Sequence, residues 1–443
     1  MKKAFTRLVV VLFIGCCALS LSSAADAPAL LWPEVGEAQL REEIFGLRFR
    51  LLLEDKGAKA AREFLEKELA RDPQPHVKAY LATICFFGPA WGMGPATDYE
   101  RGQRLGKEAV AAGSVAAADA LGRATAYGYG CTADCKEAVR LLRLAAQGGV
   151  ARAMARLGVY RTCGIGEPAD AQEGALWLAR AAALGGSYGY VELGGRLEDA
   201  KPGDGSNLQD AIKMYSHALV YNDDQARKKL QALVKNNTPG AALYLALGEV
   251  NFAHEGGWLP PTRVREQVKT LRELAGDDAE ALVELGRACM EGKFTKRDYA
   301  FAQECFKRAA QTGNTDARFF LSKMKLRGLG VPCEAEAALR ELQLMVVQRN
   351  ARAAAYLGYV HYWGADEAPG IKKDAHMAFV YSRAAAEMGS FMGQRNLVTC
   401  YEHGIGTPKN YALAAKVSWI VYGWGVPAAL GHTRKLLNHV DLH

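Results

Sequence analysis

AEALVELGRACMEGKFTKRDYAFAQECFKRAAQTG, residues Ala279–Gly313, is the stretch that decides the fold. Its first half places apolar residues at Ala281, Leu282, Leu285, Ala288 and Cys289, the three-and-four spacing of one helix face. Gly292, seven residues after Leu285, can adopt the left-handed backbone that ends a helix. The second half repeats the helical spacing at Tyr299, Ala302, Phe306, Ala309 and Ala310, and Gly313 closes it. One unit therefore reads helix A, turn, helix B, turn.

The Leu-Gly signature of helix A, or a close variant, recurs at Leu121, Leu157, Leu193, Leu247, Leu285, Leu321, Leu357 and Leu397. The steps are 36, 36, 54, 38, 36, 36 and 40 residues, and a weaker copy starts at Leu81. A fixed period of this size means a solenoid, in which each unit buries its apolar face against its neighbours. The expected fold class is all-α, a right-handed α/α solenoid superhelix of helix-turn-helix repeats of about 36 residues. Gly122, Gly158, Gly286 and Gly358 fall mid-helix, where glycine costs about 1 kcal/mol relative to Ala. A cost repeated at one register implies close helix approach there. Paired alanines in helix B, at Ala145-Ala146, Ala181-Ala182 and Ala309-Ala310, would let it nest on the next helix A.

The pattern resembles the Sel-one-like repeat, a relative of the tetratricopeptide repeat, over roughly residues 76–430. The resemblance rests on Leu-Gly in helix A, on the Gly-x-Gly turns (Gly128/Gly130, Gly164/Gly166, Gly328/Gly330, Gly404/Gly406), and on Ala-Ala-x-x-Gly in helix B. Leu193 lacks the glycine turn, and a Pro260-Pro261 loop follows Leu247. The resemblance implies a bacterial scaffold for protein–protein contacts. In tetratricopeptide-like stacks helix A lines the concave face, at positions five and two before and two and five after the Leu. Here Arg123, Arg287, Lys323, Tyr359, Tyr362 and Arg395 occupy such positions, and are the candidate partner-binding residues. Arginine and aromatic side chains are enriched at interface hot spots. The expected partner is a protein, or an extended or helical peptide with some acidic character.

Four segments are expected: a secretory signal over residues 1–24, capping helices over 26–75, and repeat blocks over 76–235 and 239–432. Lys2, Lys3 and Arg7 form a basic start, Leu8–Leu21 an apolar core, and Ser22-Ser23-Ala24-Ala25 a small-residue cleavage zone. The expectation is export to the periplasm or beyond, with Phe13-Ile14-Gly15-Cys16 as an alternative lipoprotein signal. The long step after Leu193 leaves room for an extra helix at Asp223–Val234, before the breaker Asn236-Asn237-Thr238-Pro239-Gly240. No later stretch is long and apolar enough to span a bilayer.

Removing the three signal-segment cations leaves 52 basic against 48 acidic residues, without an arginine-rich tract, so charge gives no argument for nucleic acid. Eight cysteines remain. Cys131, Cys135 and Cys163 lie at neighbouring turns and form the leading disulfide group, with Cys289, Cys305 and Cys333 as the second. No metal or cofactor is expected, since no His, Cys or carboxylate set has ligand spacing and Gly-x-Gly recurs as a helix stop. Ser322-Lys323-Met324-Lys325 fits Ser-x-x-K but lacks KTG and SDN partners, and the serine takes the usual mid-helix glycine position. The expectation is a non-enzyme. Its alternatives are a cell-wall or β-lactam-directed hydrolase and a structural assembly factor of an envelope complex.

Overall fold

The computed structural model describes residues 37–88, 98–184, 187–198, 208–364, 368, 371–423 and 427–440. The expected secretory signal and Cys16 fall outside them. Among the described residues every regular element is a helix and none is a strand. In chain order these are α1 (Glu37–Arg71), α2 (Pro75–Phe87), α3 (Tyr99–Ala111), α4 (Val115–Tyr127), α5 (Cys135–Gln147), α6 (Ala151–Cys163) and α7 (Ala171–Ala183). There follow α8 (Tyr188–Glu198), α9 (Leu208–Leu219), α10 (Asp224–Lys235), α11 (Ala241–His254), α12 (Pro261–Leu274), α13 (Ala279–Glu291) and α14 (Tyr299–Gln311). The series ends with α15 (Thr315–Arg327), α16 (Ala335–Val347), α17 (Ala351–Trp363), α18 (Ala375–Glu387), α19 (Phe391–His403), α20 (Tyr411–Gly423) and α21 (Pro427–Leu437). α1 breaks at Gly57 (φ 79°), and α10 occupies the long step after Leu193.

The helices group into two compact units. The N-terminal unit holds residues 28–189 together with 433–443, and the C-terminal unit holds residues 190–432. In the first, α2/α3, α4/α5 and α6/α7 are the A/B pairs; in the second, α13/α14, α15/α16, α17/α18 and α19/α20 are the regular ones. The Asn236–Gly240 breaker lies within the second unit, between α10 and α11.

Many of the repeat helices start on a side-chain cap, although Val150 before α6 and Glu334 before α16 supply none. Ser114, Asp278, Asn314, Asn350 and Ser390 accept a backbone N–H at the start of an A helix, and Asp98, Asp134, Asp298 and Asp374 do so for B helices. Each cap satisfies a donor the helix leaves unpaired, worth about 1 kcal/mol. The B cap also fixes the turn. The N–H of Asp134, Asp170, Asp298, Glu334, Asp374 and Asn410 donates to the carbonyl of the residue four after the signature Leu: Thr125, Arg161, Cys289, Lys325, His361 and Tyr401. One backbone hydrogen bond thus recurs in these six A-to-B turns, in both units.

The glycine register is a packing site. A Cβ at Gly158 would stand 2.7 Å from Leu178 Cγ and 2.9 Å from the Gly174 carbonyl, and one at Gly286 would stand 2.7 Å from the Phe306 ring. The leucine before each glycine is sealed in: Leu157 and Leu357 are 0% exposed. The C-terminal core runs without a gap from Ala246 to Ile371 through Phe306, Phe320 and Leu342.

Candidate functional site: the inner stripes of the A helices

Side chains from successive A helices meet along one face in each unit. In the C-terminal unit Arg352 of α17 reaches Asp316 of α15 (Nε to Oδ2, 2.8 Å), Glu284 of α13 (3.2 Å) and Glu255, just past α11 (3.4 Å). A side chain that spans four A helices marks this face as the inside of a curve. Arg287 lies beneath, 8% exposed, with Nη1 2.8 Å from Glu255, Nε 3.1 Å from Glu291 and Nη2 donating to the His254 carbonyl at 3.2 Å. His254 Nδ1 stands 2.6 Å from Glu284 Oε2. Although burial works against ionisation, the His254 contact and the Arg287 and Arg352 guanidiniums hold the Glu284 carboxyl below the usual carboxylate range. Burial, with Arg287 nearby, holds His254 below the ordinary histidine value. Lys323 lies over the Tyr356 ring (5.3 Å), and enclosure pushes its amine down to about 8 against the pull of Glu291.

In the N-terminal unit the same face carries arginines and rings. Arg123 is 8% exposed, with Nη2 3.3 Å from Asp119 Oδ2 and its guanidinium 4.2 Å over the Phe87 ring. Arg156 Nη1 donates to the Tyr127 hydroxyl at 3.2 Å and lies over the Tyr188 ring. Tyr127, Tyr129 and Tyr99 form a ladder, with centroids 5.6 Å and 4.9 Å apart. Arg152 is reached by solvent but set between the repeats. That partial enclosure, and then Arg123, Arg50 and Arg156, hold its pKa below the ordinary value, with Asp119 opposing.

Five segments match the Sel1 repeat family model: residues 115–150, 151–186, 279–314, 351–390 and 391–416. These five segments are Sel1 repeats. Two solved structures are similar to it at 21% identity. One is c5321, a protective antigen present in uropathogenic Escherichia coli strains displaying an SLR fold, with 91% of this chain and 88% of that chain covered and a TM-score of 0.33. The other is a Sel1 repeat protein from Oxalobacter formigenes, with 82% and 93% covered and a TM-score of 0.30. A search of curated proteins finds no match.

The Sel1 repeats do not assemble the expected cationic row as a free surface. Arg287 is enclosed by glutamates, Lys323 lies over rings, and Arg123 belongs to the other unit. Arg395 is exposed beside Phe391, while Tyr359 and the partly exposed Tyr362 pack on Trp363. Positions two before and five after the Leu are largely core, as at Phe319, Met290 and Leu326. The inner stripe instead runs five before, one before, two after and six after, the spacing of adjacent helical turns. It reads Glu280, Glu284, Arg287, Glu291 on α13 and Arg352, Tyr356, Tyr359, Trp363 on α17. The missed residues, Glu284, Arg156, Glu291 and Tyr127 among them, sit one before or six after.

The expected bridge groups are not shown: Cys131 and Cys135 of the first group and Cys289, Cys305 and Cys333 of the second carry free thiols, as do Cys85 and Cys400. Their surroundings differ. Cys131 accepts from Gln103 Nε2 at 3.3 Å, and Cys333 donates to the Leu326 carbonyl at 3.4 Å. Cys135 and Cys163 are exposed at a helix start and a helix end. Cys289 and Cys305 are buried in the core, and burial, with Cys289 adding to it, pushes the Cys305 thiol up to about 12. Ser322 is 0% exposed and its Oγ donates to the Arg318 carbonyl at 2.9 Å. Among the described residues no three His, Cys, Asp or Glu side chains are grouped to hold a metal ion, and no helix is long and apolar enough to cross a membrane.

Proposed function

We propose that this protein is an exported, non-catalytic scaffold that captures a protein partner on the inner stripes of its repeats. The observation that carries the reading is the convergence of arginine and tyrosine side chains from successive A helices onto one face. Such groups give contact area and charge-assisted hydrogen bonds to a segment lying across several repeats. The basic, apolar and small-residue order of residues 1–25 supports export. The non-catalytic part is supported by Ser322, whose hydroxyl is buried and committed to a backbone carbonyl, leaving Ser-x-x-K without a usable nucleophile.

Mild crosslinking of the tagged full-length protein in its native host, followed by mass mapping of crosslinked residues, tests this reading. Crosslinks from the A-helix stripes to one recurrent partner are expected. Crosslinks only from B helices, or retention of the protein in the cytoplasm, would overturn it. Purified protein should leave a chromogenic cephalosporin and labelled cell-wall fragments unchanged, and turnover lost in Ser322→Ala would refute the non-catalytic part.

A further inference from the structure

The N-terminal inner stripe has a surplus of positive charge that its own acids do not answer. Arg152 makes no hydrogen bond or ion pair with any described residue. Arg123 is more than nine-tenths buried and its Nε lacks a hydrogen-bond partner, as does Nε of Arg156. Asp119 serves Arg123 through a single 3.3 Å contact, and its own Oδ1 is unpartnered. Glu42 of α1 is committed to the Ser114 hydroxyl and the Val115 N–H at the start of α4. A buried guanidinium with an unmet donor is costly unless a ligand supplies the acceptor. Beside it, Tyr127 is 55% exposed on the stacked tyrosine ladder, a large apolar surface open to solvent.

We propose that Arg123, Arg152 and Arg156 receive a carboxylate side chain of an extended acidic segment in a partner protein, while Tyr127 and Tyr129 receive an aromatic or aliphatic residue next to it. This rests on the scaffold reading and assigns its ligand chemistry. The planar forks of the arginines suit a carboxylate in two-point contact. The arginines of α6 beside Arg123 and Tyr127 of α4 suit a chain that carries an acidic residue next to an apolar one. In the C-terminal stripe, by contrast, Arg287 and Arg352 already meet Glu255, Glu284, Glu291 and Asp316.

A displayed random-peptide library panned against the full-length protein tests the assignment. Peptides rich in Asp or Glu beside Phe, Tyr or Leu are expected. A labelled synthetic copy should bind about tenfold or more weakly to Arg152→Glu/Arg156→Glu, a loss of about 1.4 kcal/mol, and to a copy with Gln for Glu. Binding should weaken with added salt, and inorganic phosphate should compete no better than chloride at equal ionic strength. Circular dichroism of the double variant separates lost binding from lost folding. Selection of neutral or basic peptides, or acidic peptides whose affinity ignores both arginines, would overturn the assignment and leave the scaffold reading standing. Competition by phosphate alone would also overturn it, as the site would then be an anion site. No selected peptide from any pool would count against both.

Discussion

In the C-terminal unit Arg287 and Arg352 meet four carboxylates, Glu255, Glu284, Glu291 and Asp316, within one enclosed network. In the N-terminal unit Arg123 and Arg152 share Asp119, and the Nε atoms of Arg123 and Arg156 have no acceptor. Both stripes come from the same repeat and register. Residues five before the Leu supply Arg152 in one unit and Asp316 and Arg352 in the other; residues one before supply Arg156 and Glu284. The difference teaches that a repeat can use one face either to tie its neighbours together or to leave charge for a partner. The outcome depends on whether opposite charges recur in adjacent repeats.

The sharpest way to break this contrast is to remove Glu284. Glu284→Ala removes a buried carboxylate from Arg287, Arg352 and His254, leaving the two arginines only Glu255 in common, and should cost about 3 kcal/mol of stability. Arg152→Ala with Arg156→Ala should change stability by about 1 kcal/mol or less, because neither side chain has an acid of its own. Denaturant melts of the two variants measure both. Near-equal losses would show that the N-terminal stripe is structural too.

Acid should also separate the stripes. His254 is held below its ordinary 6.5 in the folded state. The unfolded chain therefore takes up a proton first, and stability contributed at neutral pH falls as pH drops below the unfolded value toward the folded one. Glu284 has a folded pKa below its ordinary 4.5, so its contribution is full above that value and is lost as pH falls further. Thermal melts from pH 8 to pH 4 should show a decline starting near 6.5, with His254→Phe removing that first part. Flat stability between pH 7 and pH 5 in the parent protein would speak against the buried histidine.

Smaller effects test the shared frame. Gly158→Ala forces a methyl group against the Gly174 carbonyl, where backbone cannot yield, and should cost about 1–3 kcal/mol. Asp134→Ala removes the cap that receives the Lys136 and Glu137 N–H groups, and should cost about 1 kcal/mol. A Gly158→Ala loss smaller than the cap loss would mean that the helices are free to separate at that register.

The frame was legible because glycine and leucine are constrained by geometry that repeats. Gly292 is left-handed (φ 66°) where the spacing ends helix A, and Gly286 meets Phe306 as the repeated mid-helix glycine implies. The inner stripe was legible only in part. Arg123, Arg287 and Lys323 lie on it, but a register one residue aside passed over Glu284 and Arg156. Neighbouring helical stripes differ by about a quarter turn, and which of them turns inward depends on how repeats pack, not on one helix's pattern. Glu284 illustrates why composition does not help: it reads as a surface glutamate and is 3% exposed, because Arg287, Arg352 and His254 come from elsewhere to meet it.

Hydrogen–deuterium exchange of the full-length protein, with and without a selected acidic peptide, tests the central claim most directly. The account predicts new protection on α4 and α6, around Arg123, Tyr127, Arg152 and Arg156, with α13, α15 and α17 unchanged. Protection confined to α13, α15 and α17, with α4 and α6 exchanging as before, would contradict it.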